Sequence, residues 1–201
     1  MVRIFLVLLL LAFGENALAQ TKINDLFVEI EGRRVQLESV TGNGGSSGTV
    51  INGYLVNESA TEKLIDINLS RPLFLVNRGS SQNMVAIGIY LSGGQYKSNG
   101  RRSFITLRPK SRSAVTLLAY CVDFDKDNPS ESDRFTLGSV PSVLEPVMAN
   151  IQNHSIANPK ADFTVAAQAA VWLAQGNSIS EIRARFPVTP AEERLARSFI
   201  R

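Results

Sequence analysis

Short apolar segments separated by turn residues dominate the chain between residues 24 and 124. Several of these segments, such as residues 64–69, alternate apolar with polar side chains, which is typical of a strand with one buried face. Residues 73–76 and 84–90 are more continuously apolar. Seven or eight short strands with this spacing predict an immunoglobulin-like antiparallel β-sandwich, although the Cys–Trp–Cys signature of antibody domains is absent. The predicted strands are residues 26–30, 35–37, 50–56, 64–69, 73–76, 84–90, 104–107 and 115–122.

The pattern changes from strand to helix in the last third of the chain. Apolar residues at helical spacing follow Pro141, and Asp162 can cap a helix over residues 163–175. Capping boxes opened by Ser178 and Thr189 predict two further helices. The fold class is therefore α+β, with the β-sandwich followed by a C-terminal helical part.

The first nineteen residues have the pattern of a signal peptide. Arg3 precedes an apolar run over residues 4–13, and residues 17–19 give the small-x-small end that signal peptidase reads, so the mature chain is expected to begin at Gln20. A helix needs about 20 apolar residues to span a bilayer, so this run is too short, and no later segment qualifies. We therefore expect a secreted or periplasmic protein that is not integral to a membrane.

Composition divides the chain into four parts and limits its partners. We expect a signal peptide over 1–19, a β-sandwich domain over 20–125, an acidic linker over 126–139 and a helical part over 140–201 packed on the sandwich. The net charge is only +3 and the basic residues are mostly scattered, so nucleic acid is not an expected partner. The expected partner is a cell-surface or envelope protein, or a glycan.

The most specific local feature involves the only cysteine, Cys121, which excludes an intrachain disulfide. Tyr120 and Cys121 end the last predicted strand, and the helix after Asp162 carries Gln168 and Trp172 four residues apart on one face. This pair of motifs resembles the thioester domains of bacterial surface adhesins.

The resemblance implies that the Cys121 thiol attacks the Gln168 carboxamide and expels ammonia, with Tyr120 and Trp172 shielding the bond. The product is a stored electrophile that an amine or hydroxyl captures. Two departures are that Ala167 occupies the position of the family's threonine and that Cys121 and Gln168 are separated by less chain than expected. The alternative is that Cys121 and Trp172 are core residues, and that Gln168 lies on the helix surface or caps a strand edge.

An acidic run directly after Cys121 is a candidate Ca²⁺ site. Asp123, Asp125 and Asp127 supply carboxylates at alternate positions, which a hard cation requires. Arg134 stands where a calcium-binding loop of the EF-hand type has its last glutamate, and no helix is predicted before the run. The alternative is a solvated acidic turn.

Two functions of different classes are compatible with these features. The first is a non-enzymatic binding, adhesion or envelope protein, with or without the internal thioester. The second is a thiol-dependent hydrolase or transferase in which His154, the only histidine, activates Cys121. Serine-hydrolase motifs, histidine clusters and phosphate-binding glycine loops are absent from the sequence, which favours the first function.

Overall fold

The structure, a computed structural model, describes residues 22–92, 97–98 and 102–201. The predicted signal peptide and Gln20 lie outside the described residues. The strands are β1 (Ile23–Asn24), β2 (Val35–Gly42), β3 (Ser47–Asn57), β4 (Lys63–Asp66), β5 (Asn68–Asn77), β6 (Met84–Leu91), β7 (Lys97–Ser98), β8 (Ser103–Leu107), β9 (Arg112–Cys121) and β10 (Phe135–Gly138). The helices are α1 (Leu26–Glu31), α2 (Glu145–Ala157), α3 (Thr164–Ala174), α4 (Ile179–Arg185) and α5 (Pro190–Phe199).

The strands form two sheets that share one hydrophobic core. One sheet has the order β1-β4-β8-β7 and the other β10-β5-β6-β9-β3-β2, and the pairs are antiparallel except for the short parallel pair of β1 with β4. Ile65 and Ile105 of the smaller sheet belong to the same buried cluster as Ile51 and Leu117 of the larger one. The α+β class with sandwich-like sheets is therefore confirmed.

The connectivity of the sheets does not establish the immunoglobulin-like type. In immunoglobulin domains the last strand lies at an edge of its sheet. Here β9, the last strand predicted from the sequence, lies between β6 and β3 in the interior of the six-stranded sheet. That sheet also curls towards closure, because the loop leading into β10 bonds to the far edge strand β2 through the Gly42 amide and the Ser130 carbonyl, 3.1 Å apart.

The prediction of a strand over residues 26–30 was wrong, because these residues form helix α1. The Asp25 carboxylate accepts hydrogen bonds from the backbone amides of Phe27 and Val28, which satisfies donors that the first turn of a helix leaves unpaired. The buried residues of this segment, Leu26 and Glu29, are three positions apart and so share a helix face. A short apolar run does not distinguish these two conformations.

Strand β10 lies inside the segment that the sequence assigned to an acidic linker. Phe135–Gly138 pairs with β5, with Leu137 opposite Leu75. Upstream of β10, the Asp133 carboxylate accepts hydrogen bonds from the Asn77 and Ser81 side chains and from Ser130. The segment is therefore an integral part of the six-stranded sheet.

The C-terminal helices form close to their predicted positions and cover the six-stranded sheet, although the N-cap of α3 is Phe163 and not the predicted Asp162. Helix α2 contacts β5, and α3 contacts β9 and β3. Strand β6 is buried at every position from Met84 to Ile89, so both of its faces are covered, which explains its continuously apolar sequence. The capping boxes of Ser178 with Glu181 and of Thr189 with Glu192 are both present. Among the helices of the described residues, none is long and apolar enough to cross a membrane.

Candidate functional site

The Cys121 side chain is enclosed in the core at the end of β9. Cys121 is fully buried, and its Sγ lies 3.4 Å from Met84 Sδ and 3.8 Å from Asn128 Oδ1. Met84 is the partner of Cys121 on the neighbouring strand β6. The sulfur therefore contacts a thioether and an amide oxygen rather than solvent.

Gln168 contacts Cys121 through two hydrogen bonds to the Cys121 backbone and not through the sulfur. Its Oε1 accepts a hydrogen bond from the Cys121 amide and its Nε2 donates one to the Cys121 carbonyl, both at 2.8 Å. The paired residues of β3 and β9 end with Ser47 opposite Tyr120, and the Cys121 amide also donates to the Ser46 carbonyl at 2.9 Å, so the carboxamide shares this amide with the backbone that precedes β3. Of the two noncovalent roles predicted for Gln168, the cap on a strand edge matches this geometry, because Gln168 is fully buried.

Burial makes the Cys121 thiol a weak acid. Removal from solvent, with a smaller effect of the nearby Asp123 charge, raises the pKa of Cys121 to about 12. The thiol is then protonated at neutral pH, whereas the thiolate is the reactive nucleophile. The site as folded is therefore poorly suited to thiol catalysis.

The two residues assigned to shielding, Tyr120 and Trp172, are both buried. Tyr120 is fully buried, and burial is the main reason that its pKa is raised. Trp172 packs edge-on against Phe124 and Phe186, with ring centroids 5.2 and 5.4 Å away. Trp172 thus belongs to an aromatic cluster between α3, α4 and the end of β9.

The acidic run after Cys121 does not bring its carboxylates together. Asp123 accepts hydrogen bonds from the amide and side chain of Asn83, whereas Asp125 pairs with Arg185 at 3.4 Å. Asp127 is exposed. In the part of the chain that the structure describes, no three His, Cys, Asp or Glu side chains form a metal-binding group. The Ca²⁺ site stays a prediction.

His154 and Cys121 have different neighbours. The imidazole of His154 lies edge-on to Phe163 and Phe199, with both ring centroids 5.2 Å away. It therefore sits between aromatic rings on the helical side of the molecule, while the Cys121 sulfur contacts Met84 and Asn128. No contact supports a catalytic pair of these two residues.

Two adjoining clefts along β5 and α2 were not predicted from the sequence. The apolar groove has a volume of about 690 Å³ and is lined by Phe27, Pro72, Phe74, Leu137, Val140 and Ala149, among others. The polar cleft has a volume of about 890 Å³, and its lining includes Asp25, Asp66, Asn68, Arg102, Asn153 and Ile156. Ser70 and Gln152 line both. Because these residues come from separate elements, no local spacing in the sequence reveals the clefts.

Gln152 holds the boundary between the two clefts in place. Its side-chain amide donates hydrogen bonds to the carbonyls of Leu69 on β5 and Ile87 on β6. Helix α2 is thereby tied to the sheet at the point where the clefts meet.

This chain was compared with protein families, curated proteins and solved structures. No family model matches the sequence, and neither the curated proteins nor the solved structures searched include a significant match to this chain.

Proposed function

We propose that this chain is an exported, non-enzymatic binding, adhesion or envelope protein that binds its partner in the two adjoining clefts. The observation that carries the proposal is the contrast between these clefts and the thiol. The clefts are open and lined by side chains from several elements, whereas the only cysteine is buried and its pKa is raised to about 12.

The size and position of the clefts support a binding role. Each volume falls within the range of roughly 300–1,000 Å³ that is common for ligand pockets. Both clefts are built on β5 and α2, and Gln152 bonds the two elements together. A ligand therefore meets a surface that is largely formed before it binds, which reduces the entropy lost on binding.

Binding to the cell surface tests this proposal. Fluorescently labelled mature protein is mixed with the surface fraction of the cells that produce it, and retention is compared with that of Ser70→Trp. Ser70 is exposed and lines both clefts, so a tryptophan there obstructs their junction. Gln36→Trp, at an exposed position of β2 outside both clefts, is the matched control.

The expected result is retention of the unsubstituted protein and of Gln36→Trp, with loss of retention for Ser70→Trp. Equal retention of all three proteins would place the partner elsewhere on the surface. Absence of retention for the unsubstituted protein would contradict the binding proposal as a whole.

Export is the part of the proposal that rests on the sequence alone. It is supported by the apolar run over residues 4–13 and the small residues at 17–19. Sequencing the N-terminus of the protein recovered outside the cytoplasm should give Gln20 as the first residue. Recovery of that protein with Met1 retained would overturn the assignment.

A second candidate function is covalent attachment through an internal thioester. It is favoured by the contact of the Gln168 carboxamide with Cys121. In the reaction a bond forms between Cys121 Sγ and Gln168 Cδ, the Cδ–Nε2 bond breaks, and Nε2 takes up the thiol proton and leaves as ammonia. The two hydrogen bonds to the Cys121 backbone must break first.

Intact mass distinguishes the two candidates. A thioester lowers the mass of the mature protein by one ammonia, and Cys121→Ala, which has no sulfur to form the bond, removes this deficit. A mass equal to that of the mature sequence shows that Cys121 and Gln168 stay separate and leaves noncovalent binding as the proposed function.

A further inference from the structure

We infer that the polar cleft binds a neutral, polyhydroxylated ligand, that is, a glycan. This inference rests on the proposed function, in which the clefts are the binding surface. It adds the chemical class of the ligand for one of them.

The polar cleft carries charges of both signs, with one more carboxylate than guanidinium. Asp25 and Asp66 contribute two carboxylates, and Arg102 lies opposite Asp66 with its Nε 3.8 Å from Asp66 Oδ2. An anionic ligand meets the two carboxylates, and a strongly cationic ligand meets the guanidinium. The excess of one carboxylate disfavours an anionic ligand, and a neutral ligand is compatible with all three groups.

The polar cleft is lined by side chains that both donate and accept hydrogen bonds. The amides of Asn68 and Asn153 both donate and accept, as do the hydroxyls of Ser103 and Ser155. Each hydroxyl of a sugar also donates one hydrogen bond and accepts others. An apolar ligand would leave these side chains without partners after displacing water from them.

The acidic side chains are held in place by the protein backbone. Asp66 Oδ1 accepts a hydrogen bond of 3.0 Å from the Asn68 amide, and Asp25 Oδ1 accepts one of 2.8 Å from the Phe27 amide. Both carboxylates therefore have a fixed orientation before a ligand arrives. Fixed polar groups favour a ligand whose hydroxyls have a defined stereochemistry.

The polar cleft also offers a small apolar surface at its rim. Ile156 is 55% exposed on α2, and Pro159 follows shortly after the end of the helix. A sugar ring carries C–H groups on the face opposite to many of its hydroxyls, and such a face packs on apolar side chains. Removing both surfaces from water stabilises the complex.

A glycan array followed by titration tests the inference. The labelled mature protein is applied to an array of neutral and charged oligosaccharides, and a neutral one that binds is titrated by calorimetry. The variants are Asn153→Ala, which removes a polar group of the cleft, and Asp66→Asn, which replaces a carboxylate of the cleft by an amide. Asn153 is exposed on a helix, where alanine is well tolerated, and asparagine at 66 retains an oxygen for the Asn68 amide. Gln36→Ala removes an exposed amide outside the cleft and is the control.

The expected result is binding of at least one neutral oligosaccharide, with affinity roughly tenfold lower for each cleft variant and unchanged for Gln36→Ala. Melting temperatures close to that of the unsubstituted protein show that the variants are folded.

Three outcomes would overturn the inference: binding to no neutral glycan, binding only to charged ones, or affinity that is unchanged in both cleft variants. If the protein still binds the cell-surface fraction and Ser70→Trp still abolishes that binding, the proposed function stands and only the ligand class is wrong. If cell-surface binding also fails, both are wrong.

Discussion

The carboxamide of Gln168 pairs with the backbone of Cys121 as a neighbouring strand would. The oxygen accepts from the Cys121 amide and the nitrogen donates to its carbonyl, each at 2.8 Å. The Cys121 amide is also 2.9 Å from the Ser46 carbonyl, so it is shared between the chain preceding β3 and the side chain of α3. One polar side chain thereby joins the helical part to the centre of the six-stranded sheet.

The first prediction concerns the stability that this pairing provides. Gln168→Met keeps the length of the side chain but leaves the Cys121 carbonyl without its donor in a buried site. We expect the free energy of unfolding to fall by about 2–4 kcal/mol, since two hydrogen bonds are lost and a buried group is unpaired. Urea unfolding followed by circular dichroism measures the change.

Gln175, the residue that follows the last turn of α3, provides the control. Gln175 donates to the carbonyls of Val122 and Val171 but is exposed, so water replaces its hydrogen bonds when they are removed. Gln175→Met should lower stability by less than about 1 kcal/mol. Equal effects of the two substitutions would mean that Gln168 has no special role at the end of β9.

The second prediction is that the Cys121 thiol reacts only when the protein opens. The thiol is buried and the pKa of Cys121 is raised to about 12, so little thiolate is present or accessible at neutral pH. Labelling by a disulfide reagent should be slow in buffer and increase with urea in parallel with unfolding. Ser180→Cys in a Cys121→Ala background places a thiol at an exposed position of α4 and should label immediately. Fast labelling of native Cys121 would instead favour the thiol-enzyme function.

Helix boundaries were predictable from the sequence because their signals are local. Capping boxes at Ser178 and Thr189 satisfy backbone donors within a few residues, and the two helices predicted from them are observed. Most strands of the core were predicted for a similar reason, since their side chains report burial directly. The predicted strand over residues 64–69 was wrong in its bounds, because it divides between β4 of one sheet and β5 of the other, and β5 continues through the separately predicted strand over residues 73–76. Residues 26–30 were assigned wrongly because one turn of amphipathic helix and a short strand have similar apolar content.

The arrangement of the sheets and clefts could not be predicted, because it depends on contacts between residues that are far apart in the sequence. The position of β9 between β6 and β3 depends on pairings between residues far apart in the chain. Strand β10 contains only four residues, and the polar surroundings of Phe135–Gly138 hid it. The contact of Gln168 with Cys121 was predicted from their motifs, but its bonding to the backbone of Cys121 rather than to the sulfur depends on the three-dimensional position of α3 beside β9.

The third prediction concerns alkaline pH. Because burial raises the pKa of Cys121 from 9.0 to about 12, the unfolded chain releases the thiol proton at a lower pH than the folded chain does. The stabilisation from keeping the thiol neutral is complete below pH 9 and is lost as the pH rises towards 12. The stability advantage of the unsubstituted protein over Cys121→Ala should shrink by about 1 kcal/mol per pH unit above pH 9. Urea unfolding between pH 8 and pH 10 measures it, and a constant difference would contradict the burial of the thiol.

The fourth prediction concerns the close approach of α3 to the sheet. Every residue of α3 from Ala166 to Trp172 is buried, so Ala170 has no room for a larger side chain. Ala170→Leu should lower the free energy of unfolding by about 1–3 kcal/mol through overpacking. Ala191→Leu, at an exposed position of α5, should change stability by less than about 0.5 kcal/mol. An unchanged melting temperature for Ala170→Leu would indicate that this helix does not pack as described.

The last prediction concerns acid and the Asp133 carboxylate. The hydrogen bond from the Ser130 amide, aided by the side chains of Asn77, Ser130 and Ser81, lowers the pKa of Asp133. The unfolded chain therefore takes up a proton at a higher pH than the folded chain, so the stabilisation is present above the ordinary aspartate pKa of about 3.9 and is lost as the pH falls below it. Asparagine at this position does not titrate, so the stability of Asp133→Asn should fall less steeply between pH 5 and pH 2. Urea midpoints over this range measure both slopes, with Asp127→Asn as the control for removing an exposed carboxylate from the same segment. Parallel slopes for the unsubstituted protein and Asp133→Asn would show that this network does not hold the segment before β10 in place.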